Sequence, residues 1–254
     1  MAGPDRSPLG NLLLDSLEAP ELESLAPLFE PHKIGVVLVH SGRASPYVYF
    51  PCGPAVASVV RATKNGSTVE SGVIGREGLF PVQMAIDGSS GSVSEILVQH
   101  PGTFARVETE RFRALFSEDA RFRDRVLQYT SVLLDLITQN LVCNRLHPIE
   151  LRLAKWLLVV RDRVGSDELR LTHEFLSHML GVHRPGVSLA VGTLEQDGLI
   201  EHGRSLVVIR DPAGLMARSC ECFEVIRARL ESFSATFDST TPYRQAVAAS
   251  RTVA

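Results

Sequence analysis

The hydrophobic pattern divides the chain into a β-rich N-terminal part and a helical C-terminal part. Residues 9–29 carry leucines at roughly helical spacing, interrupted by Pro20. From Ile34 to Val107, short runs of β-branched residues alternate with turn residues, which predicts a small β-roll. The strands are expected at Val36–Val39, Val48–Phe50, Val56–Val60, Val69–Val73, Ile96–Val98 and Phe104–Val107, with Asn65-Gly66 as a type I′ hairpin turn.

A long stretch without turn signals, Ser117–His147, predicts one helix with two apolar stripes. Two apolar faces need two partners, so we expect one face on the β-roll and the other on a second copy, in a parallel homodimer. The alternative is a helix buried within one domain, although about 30 residues is long for that. The stripe assigned to the dimer interface consists of Phe122, Val126, Tyr129, Leu133, Leu136 and Asn140; the second stripe contains Leu127, Thr130, Leu134, Ile137 and Leu141.

The segment His173–Leu194 has the spacing of a helix-turn-helix. Gly181 falls at the turn, where a left-handed backbone costs glycine little, and Ser177 fits where two helices cross closely. Thr172 is expected to cap the first helix, and Pro185 to lie in the first turn of the second. The alternative interpretation is a small helical core that binds nothing.

The remaining pattern completes a winged helix and gives the domain boundaries. An amphipathic helix follows Pro148, and two β-rich runs flanking Gly203 predict a hairpin, or wing. The expected fold is α+β: a sensor-like β-roll (jelly-roll-like) at 10–116, a dimerisation helix at 117–147, a winged helix-turn-helix at 148–213, a C-terminal helix at 214–233 and a disordered Ser/Thr/Ala-rich tail at 234–254.

Composition narrows the class of protein. With 44% hydrophobic and 22% charged residues, the chain can bury a substantial core. The net charge of −3 means that any nucleic-acid site depends on local charge and shape. No apolar run approaches the ~18 residues of a membrane span, and no signal-peptide core is seen, so we expect a cytoplasmic protein. The β-rich part has no His-x-His pair and the chain no nucleophile–base motif, which argues against an enzyme.

The cysteines Cys52, Cys143, Cys220 and Cys222 are too few and too scattered for a disulfide framework. On a helix, residues two apart point to nearly opposite sides, so Cys220 and Cys222 are not expected to share a metal ion or a disulfide. We expect them to be buried as small apolar residues or to act in redox modulation. The sequence therefore predicts no metal site and no cofactor.

The motifs together resemble the Crp/Fnr superfamily of bacterial transcription regulators. The resemblance covers about Leu12 to Phe233 and rests on VYFPCGPAVASVV, GSTVESGVIGREG, CNRLHPIELRLAKWLL and LTHEFLSHMLGVHRPGVSLAVGTLEQDGLIEHG. It implies a cyclic-nucleotide-binding-like β-roll, a long dimer helix and a winged helix. The homodimer would bind a palindromic operator in double-stranded DNA, with RNA polymerase as a further partner. The ending SCECFEV also resembles a subset of this family.

Two departures in the β-roll concern the effector. Members that respond to cyclic nucleotides use a Glu for the ribose and an Arg for the phosphate, where this chain has Arg76 and Ser92. The resemblance therefore implies a sensor domain that binds another effector or no effector. Arg76 is the ligand candidate in this domain; the alternative is that it is a solvated arginine in a surface turn. A cyclic-nucleotide-responsive regulator is the alternative. The cysteine cluster of iron–sulfur members is missing, while haem ligation by His32, His40 or His100 stays open.

The predicted recognition helix also departs from the family pattern. The usual start, Arg-Glu-x-x-x-Arg, is matched here by a segment that keeps the first Arg as Arg184 and has Leu189 in place of the second. Arg184 is therefore expected to read guanine. Between residues 147 and 212, eight Lys/Arg face nine Asp/Glu, so we expect modest phosphate neutralisation, to which histidines can add. The other DNA-binding candidates are His183, Ser188, Thr172, His173 and Arg204.

Overall fold

The computed structural model describes residues 9–64, 66–88 and 91–238. The N-terminal part contains α1 (Leu12–Asp15), α2 (Ala19–Leu25), β1 (Leu28–His32), β2 (Val37–Val39), β3 (Tyr47–Cys52), β4 (Val56–Ala62), β5 (Thr68–Ile74), α3 (Val82–Asp87), β6 (Glu95–His100) and β7 (Gly102–Glu108). The C-terminal part contains α4 (Thr109–Glu118), α5 (Ala120–Leu146), α6 (Ile149–Val164), β8 (Glu168–Leu169), α7 (His173–Leu180), α8 (Arg184–Gln196), β9 (Ile200–His202), β10 (Val207–Ile209), α9 (Pro212–Arg218) and α10 (Cys222–Asp238).

Two antiparallel sheets, ordered β1-β7-β3 and β2-β6-β4-β5, form the β-roll. Each of the six predicted strands is present, and the predicted α+β architecture is confirmed. The pattern missed β1, an edge strand that contains Pro31; proline donates no ladder hydrogen bond and is tolerated at such an edge. The hairpin between β4 and β5 pairs Ala62 with Thr68, while Asn65 of its predicted turn lies outside the described residues.

The long helix α5 begins after Asp119, whose side chain accepts a hydrogen bond from the Phe122 amide and caps it. Its first apolar stripe, the predicted dimer interface, is largely covered by the chain itself. Five of its residues are buried within the chain, where the helix packs on the β-roll and α10, and Asn140 donates to the Ser71 carbonyl oxygen at 3.2 Å. The buried five are Phe122, Val126, Tyr129, Leu133 and Leu136.

The second stripe of α5 contains the exposed apolar residues. Leu127, Leu134 and Leu141 are 45%, 61% and 70% exposed, and they lie seven residues apart. Residues at a seven-residue spacing share one line along a helix, which is the pattern of a coiled-coil seam. This line, here called the leucine seam, is a face of α5 that the described part of the chain leaves uncovered.

The C-terminal segment differs from the prediction of one helix at 214–233. It forms α9 and α10, separated by a short link at 219–221, and α10 continues to Asp238 because Phe233 and Phe237 are buried one helical turn apart. The predicted tail therefore overlaps α10 at its start, and residues 239–254 lie outside the described residues. Among the described helices, none is both long enough and apolar enough to cross a membrane.

Helix α6 connects the C-terminal part to the β-roll through buried polar contacts. Trp156 donates its indole N–H to Glu70 on β5 at 2.8 Å, and Glu70 also accepts from Ser58 at 2.6 Å. Burial raises the pKa of Glu70 to about 7, against the lowering effect of these hydrogen bonds. Farther along α6, Arg163 forms a buried ion pair with Glu77, with a nitrogen–oxygen distance of 2.8 Å. The two parts of the chain are thus held together by charged and hydrogen-bonded groups.

Candidate nucleic-acid interface

Helices α7 and α8 form the predicted helix-turn-helix. Thr172 caps α7 by accepting the Phe175 amide at 3.1 Å. Gly181 ends the helix with a φ of 63°, a left-handed conformation that a side chain would strain. Ser177 is buried, and its hydroxyl donates to the Glu174 carbonyl oxygen at 2.7 Å. Pro185 lies in the first turn of α8, as expected. The local sequence thus determines the angle at which α8 leaves the turn.

The N-terminal end of α8 presents polar side chains to solvent. His183, Arg184 and Ser188 are exposed, while Val187, Ala190 and Leu194 pack into the core from the other side of the helix. Leu189 is 73% exposed, which is unusual for a leucine inside a helix that has an apolar face of its own. An exposed apolar side chain next to Arg184 and Ser188 can contact a thymine methyl group in a major groove.

His173 connects the start of α7 to the wing. Its ring stacks on that of His202 of β9 with centroids 4.2 Å apart, and its Nδ1 lies 3.0 Å from the Ser188 hydroxyl. Burial, together with the neighbouring His202 and Arg184, lowers the pKa of His173 and so favours its neutral form. Its buried Nε2 has no hydrogen-bond partner in the described part of the chain. His173 is a predicted DNA-binding residue, whereas His202 is not, because only the fold brings His202 beside it.

The wing is a small antiparallel sheet in the order β8-β10-β9. At its tip, the Gly203 amide donates to the Leu206 carbonyl oxygen at 2.8 Å, and Arg204 is exposed. The six predicted DNA-binding residues therefore fall on three neighbouring elements: the start of α7, the start of α8 and the wing. Thr172 differs from the other five predicted DNA-binding residues, because its hydroxyl already caps α7.

Arg76, the predicted ligand candidate, lies at a cavity of about 410 Å³ between the β-roll, α6 and α10. Charged side chains of both signs line this cavity, including Asp162, Arg163 and Arg227. Burial raises the pKa of Asp162. The cavity combines these groups with apolar ones such as Phe223 and Ile226, so it suits a small molecule with polar and apolar parts.

Cys220 and Cys222 do not lie on one helix. The prediction that they point to opposite sides of a helix is therefore wrong. Cys220 belongs to the link before α10, and Cys222 is the first residue of α10. All four cysteines are free and buried, and three of them, Cys143, Cys220 and Cys222, pack together at the end of α5. The helical spacing rule does not apply across the link, and their thiols are not held on opposite sides.

Comparisons with known proteins agree with this architecture. Residues 151–218 match the Crp-like helix-turn-helix domain. The fold is similar to that of a transcriptional regulator of the Crp/Fnr family from Eubacterium rectale, with a TM-score of 0.64, 14% identity, and coverage of 81% of this chain and 96% of that one. It is also similar to FixK2 from Bradyrhizobium japonicum, with a TM-score of 0.65, 13% identity and coverage of 76% and 98%.

A third similar structure is the c-di-GMP responsive global regulator CLP from Xanthomonas campestris, with a TM-score of 0.56, 16% identity and coverage of 76% of this chain and 99% of that one. A search of curated protein sequences found no significant match. At these identities the solved structures establish the fold, and the resemblance to the Crp/Fnr superfamily is confirmed by the fold together with the matched domain.

Proposed function

Because the chain has the Crp/Fnr architecture and carries a Crp-like helix-turn-helix domain, we propose that it is a sequence-specific, DNA-binding transcription regulator that acts as a homodimer. The observation that carries this proposal is the exposed start of α8, where Arg184, Ser188 and Leu189 face solvent beside the wing. In helix-turn-helix proteins this end of the second helix enters the major groove. RNA polymerase is the further partner expected of such a regulator.

The leucine seam supports the homodimer. A second copy of α5, related by a two-fold axis, would cover Leu127, Leu134 and Leu141 with the same three residues. A two-fold dimer places two recognition helices about one helical turn of DNA apart, which fits a palindromic operator. An exposed leucine seam of this kind therefore supports the two-fold dimer that the proposed DNA site requires.

Arg184 is expected to be the main reader of sequence. An arginine at this position can donate two hydrogen bonds to O6 and N7 of guanine, worth about 1–3 kcal/mol of discrimination. Arg184→Ala should therefore relax the preference at one base pair in each half-site by roughly 5- to 150-fold. Selection of binding sites from a random DNA pool, followed by affinity measurements at several salt concentrations, measures this directly.

A matched control is Arg43→Ala, which removes the same charge from an exposed position in the β-roll, between β2 and β3. It should leave the selected motif unchanged. If Arg184 only contacted phosphate, Arg184→Ala would weaken binding to all sequences about equally and reduce the salt dependence. If Arg184→Ala selects the same DNA motif as the unmodified protein, with the same base preference at every position, Arg184 does not read a base.

We further propose that the β-roll does not sense a cyclic nucleotide. Arg76 lines the cavity beside α6 and α10, and Ser92 offers no positive charge to a phosphate. The neighbouring Arg61 is exposed and donates to the Val93 carbonyl oxygen. Between the sheets and α5, Phe80 and Tyr129 fill space, and Tyr129 donates to the Leu79 carbonyl oxygen at 3.0 Å. A nucleotide phosphate would therefore be desolvated without its charge-assisted hydrogen bonds.

Calorimetric titration with cyclic AMP and cyclic GMP tests the effector directly. We expect no heat of binding up to millimolar nucleotide, because a phosphate without a guanidinium loses most of its binding energy. Operator binding by the same preparation, measured in parallel, shows that the protein is folded and active. Submillimolar binding of either nucleotide, with an accompanying change in operator affinity, would favour the cyclic-nucleotide-responsive regulator instead.

A further inference from the structure

Four side chains with metal-binding atoms meet where α5 ends and α10 begins. Cys143 lies in the last turn of α5, His147 caps its C-terminal end, and Cys220 and Cys222 come from the link and the start of α10. Their ligand atoms all lie within 4.8 Å of one another, and the three cysteines are buried. Three sulfurs and one imidazole nitrogen therefore converge on one small volume, here called the Cys₃His cluster.

Two distances within the cluster match tetrahedral coordination. With Zn–S bonds of about 2.3 Å and a Zn–N bond of about 2.0–2.1 Å, tetrahedral angles place two sulfurs about 3.8 Å apart and a sulfur and a nitrogen about 3.6 Å apart. The Sγ atoms of Cys143 and Cys220 are 3.6 Å apart, and Cys222 Sγ lies 3.5 Å from His147 Nδ1. A disulfide would bring two sulfurs to about 2.05 Å, so the cluster has the dimensions of a metal site.

Groups around the cluster orient its ligands. The Nε2 atom of His147, which points away from the cysteines, lies 3.2 Å from a carboxylate oxygen of Glu221. A carboxylate on the far nitrogen fixes the imidazole so that Nδ1 faces a metal ion. The side-chain amide of Gln139 donates to Cys222 Sγ at 3.0 Å, a contact that favours the thiolate. Both contacts are typical of the outer shell of a metal site.

The charge of the surroundings provides an independent argument. Arg152 is buried close to Cys143 and Cys220, and within the described ranges no carboxylate forms an ion pair with it. Its guanidinium donates to the Asn144 side-chain oxygen and the Leu180 carbonyl oxygen, while its Nε has no hydrogen-bond partner among the residues that the structure describes. A buried cation needs a nearby negative charge. Three thiolates, a neutral histidine and one divalent cation carry a net charge of −1, which would balance Arg152.

We propose that Cys143, His147, Cys220 and Cys222 bind one Zn²⁺ ion. Thiolate-rich tetrahedral sites select zinc over the hard cations, and a site with four protein ligands is closed and structural. The ion would fasten the link before α10 to the end of α5, at the junction between the long helix and the winged helix. This site is independent of the proposed DNA contacts, and it replaces the expectation that the C-terminal cysteines bind no metal.

The test is the metal content of full-length protein purified without added metal, measured by inductively coupled plasma mass spectrometry. We expect about one zinc per chain, retained through dialysis. A Cys143→Ser/Cys222→Ser variant should lose at least nine-tenths of it. The matched control is Cys52→Ser, which changes a buried cysteine of β3 outside the cluster and should keep the ion.

A second measurement covers the case in which the double variant does not fold. Unmodified protein stripped with a chelator is titrated with Co²⁺, which should produce sulfur-to-cobalt charge-transfer bands and the intense visible bands of a tetrahedral complex, at one ion per chain. Each ion bound should also release protons as thiols become thiolates. Absence of these bands, a different resident metal, a Cys143–Cys220 disulfide in protein purified under reducing conditions, or equal zinc in the double variant would overturn the proposal.

Discussion

Leu134→Glu is expected to convert the protein into a monomer and to abolish operator binding at concentrations where the unmodified protein is fully bound. Leu134 is 61% exposed at the centre of the leucine seam, and the two-fold axis would place two new carboxylates against each other. The change removes about 1.5–3 kcal/mol of apolar burial per chain and adds the desolvation of two charges. A total of about 4 kcal/mol or more corresponds to roughly a thousand-fold weaker dimer.

Light scattering at micromolar concentration and DNA binding at the same concentration measure the two effects. Gln128→Glu is the matched control, because it adds the same charge to an exposed position of α5 away from the leucine seam. It should remain dimeric and bind DNA normally. A dimer that survives Leu134→Glu, or unmodified protein that is monomeric with and without DNA, would contradict the proposed interface.

Hydrophobic periodicity predicted both apolar stripes of α5 but could not determine which of them is buried within the chain. The pattern predicted the helix and its two apolar faces, because both repeat at steps of three and four residues. It could not determine which face the chain itself covers. That depends on α10, whose Phe233 ring lies 6.2 Å from that of Tyr129, and on the β-roll beneath. The second stripe carries leucines at a strict seven-residue spacing, which is the pattern that supports the proposed dimer interface.

The helix-turn-helix was predictable because its signals are local. Thr172 caps α7 with its side-chain hydroxyl, Gly181 has the left-handed backbone that ends α7, and Pro185 lies in the first turn of α8, each as predicted. The stacked pair of His173 and His202 was not predictable, since those residues lie on different elements and meet only in the folded domain. The Cys₃His cluster was missed for a related reason: a helix was assumed where the chain has a link.

The contacts between α6 and the β-roll also join residues that are far apart in sequence. The turn of the helix-turn-helix lies against β5, since a Cβ placed on Gly181 would come within 3.0 Å of the Val69 side chain. Together with the Trp156–Glu70 hydrogen bond, this places the β-roll in direct contact with both α6 and the turn of the helix-turn-helix. Among the ion pairs of the described residues, the one between Glu77 and Arg163 is the most buried.

Glu77→Gln is therefore expected to destabilise the junction between the β-roll and α6 by about 3–5 kcal/mol, because it leaves the buried Arg163 guanidinium without its opposite charge. Arg163→Met should also destabilise this junction, because it leaves the buried Glu77 carboxylate without its opposite charge. The double variant Glu77→Gln/Arg163→Met should lose much less free energy of unfolding than the sum of the losses in the two single variants, since no unpaired charge remains. Urea unfolding followed by Trp156 fluorescence measures each difference.

The matched control is the exposed ion pair between Arg161 and Asp167, which also involves α6. Solvent screens that pair, so Arg161→Met should change the free energy of unfolding by less than about 1 kcal/mol. Glu77 also accepts the Gly75 amide at 3.1 Å, and glutamine keeps this acceptor, so the loss in Glu77→Gln reports the charge alone. If Glu77→Gln costs no more than the exposed control, the buried pair does not hold the β-roll to α6, and the coupling must reside in the Glu70–Trp156 contact and the packing around it.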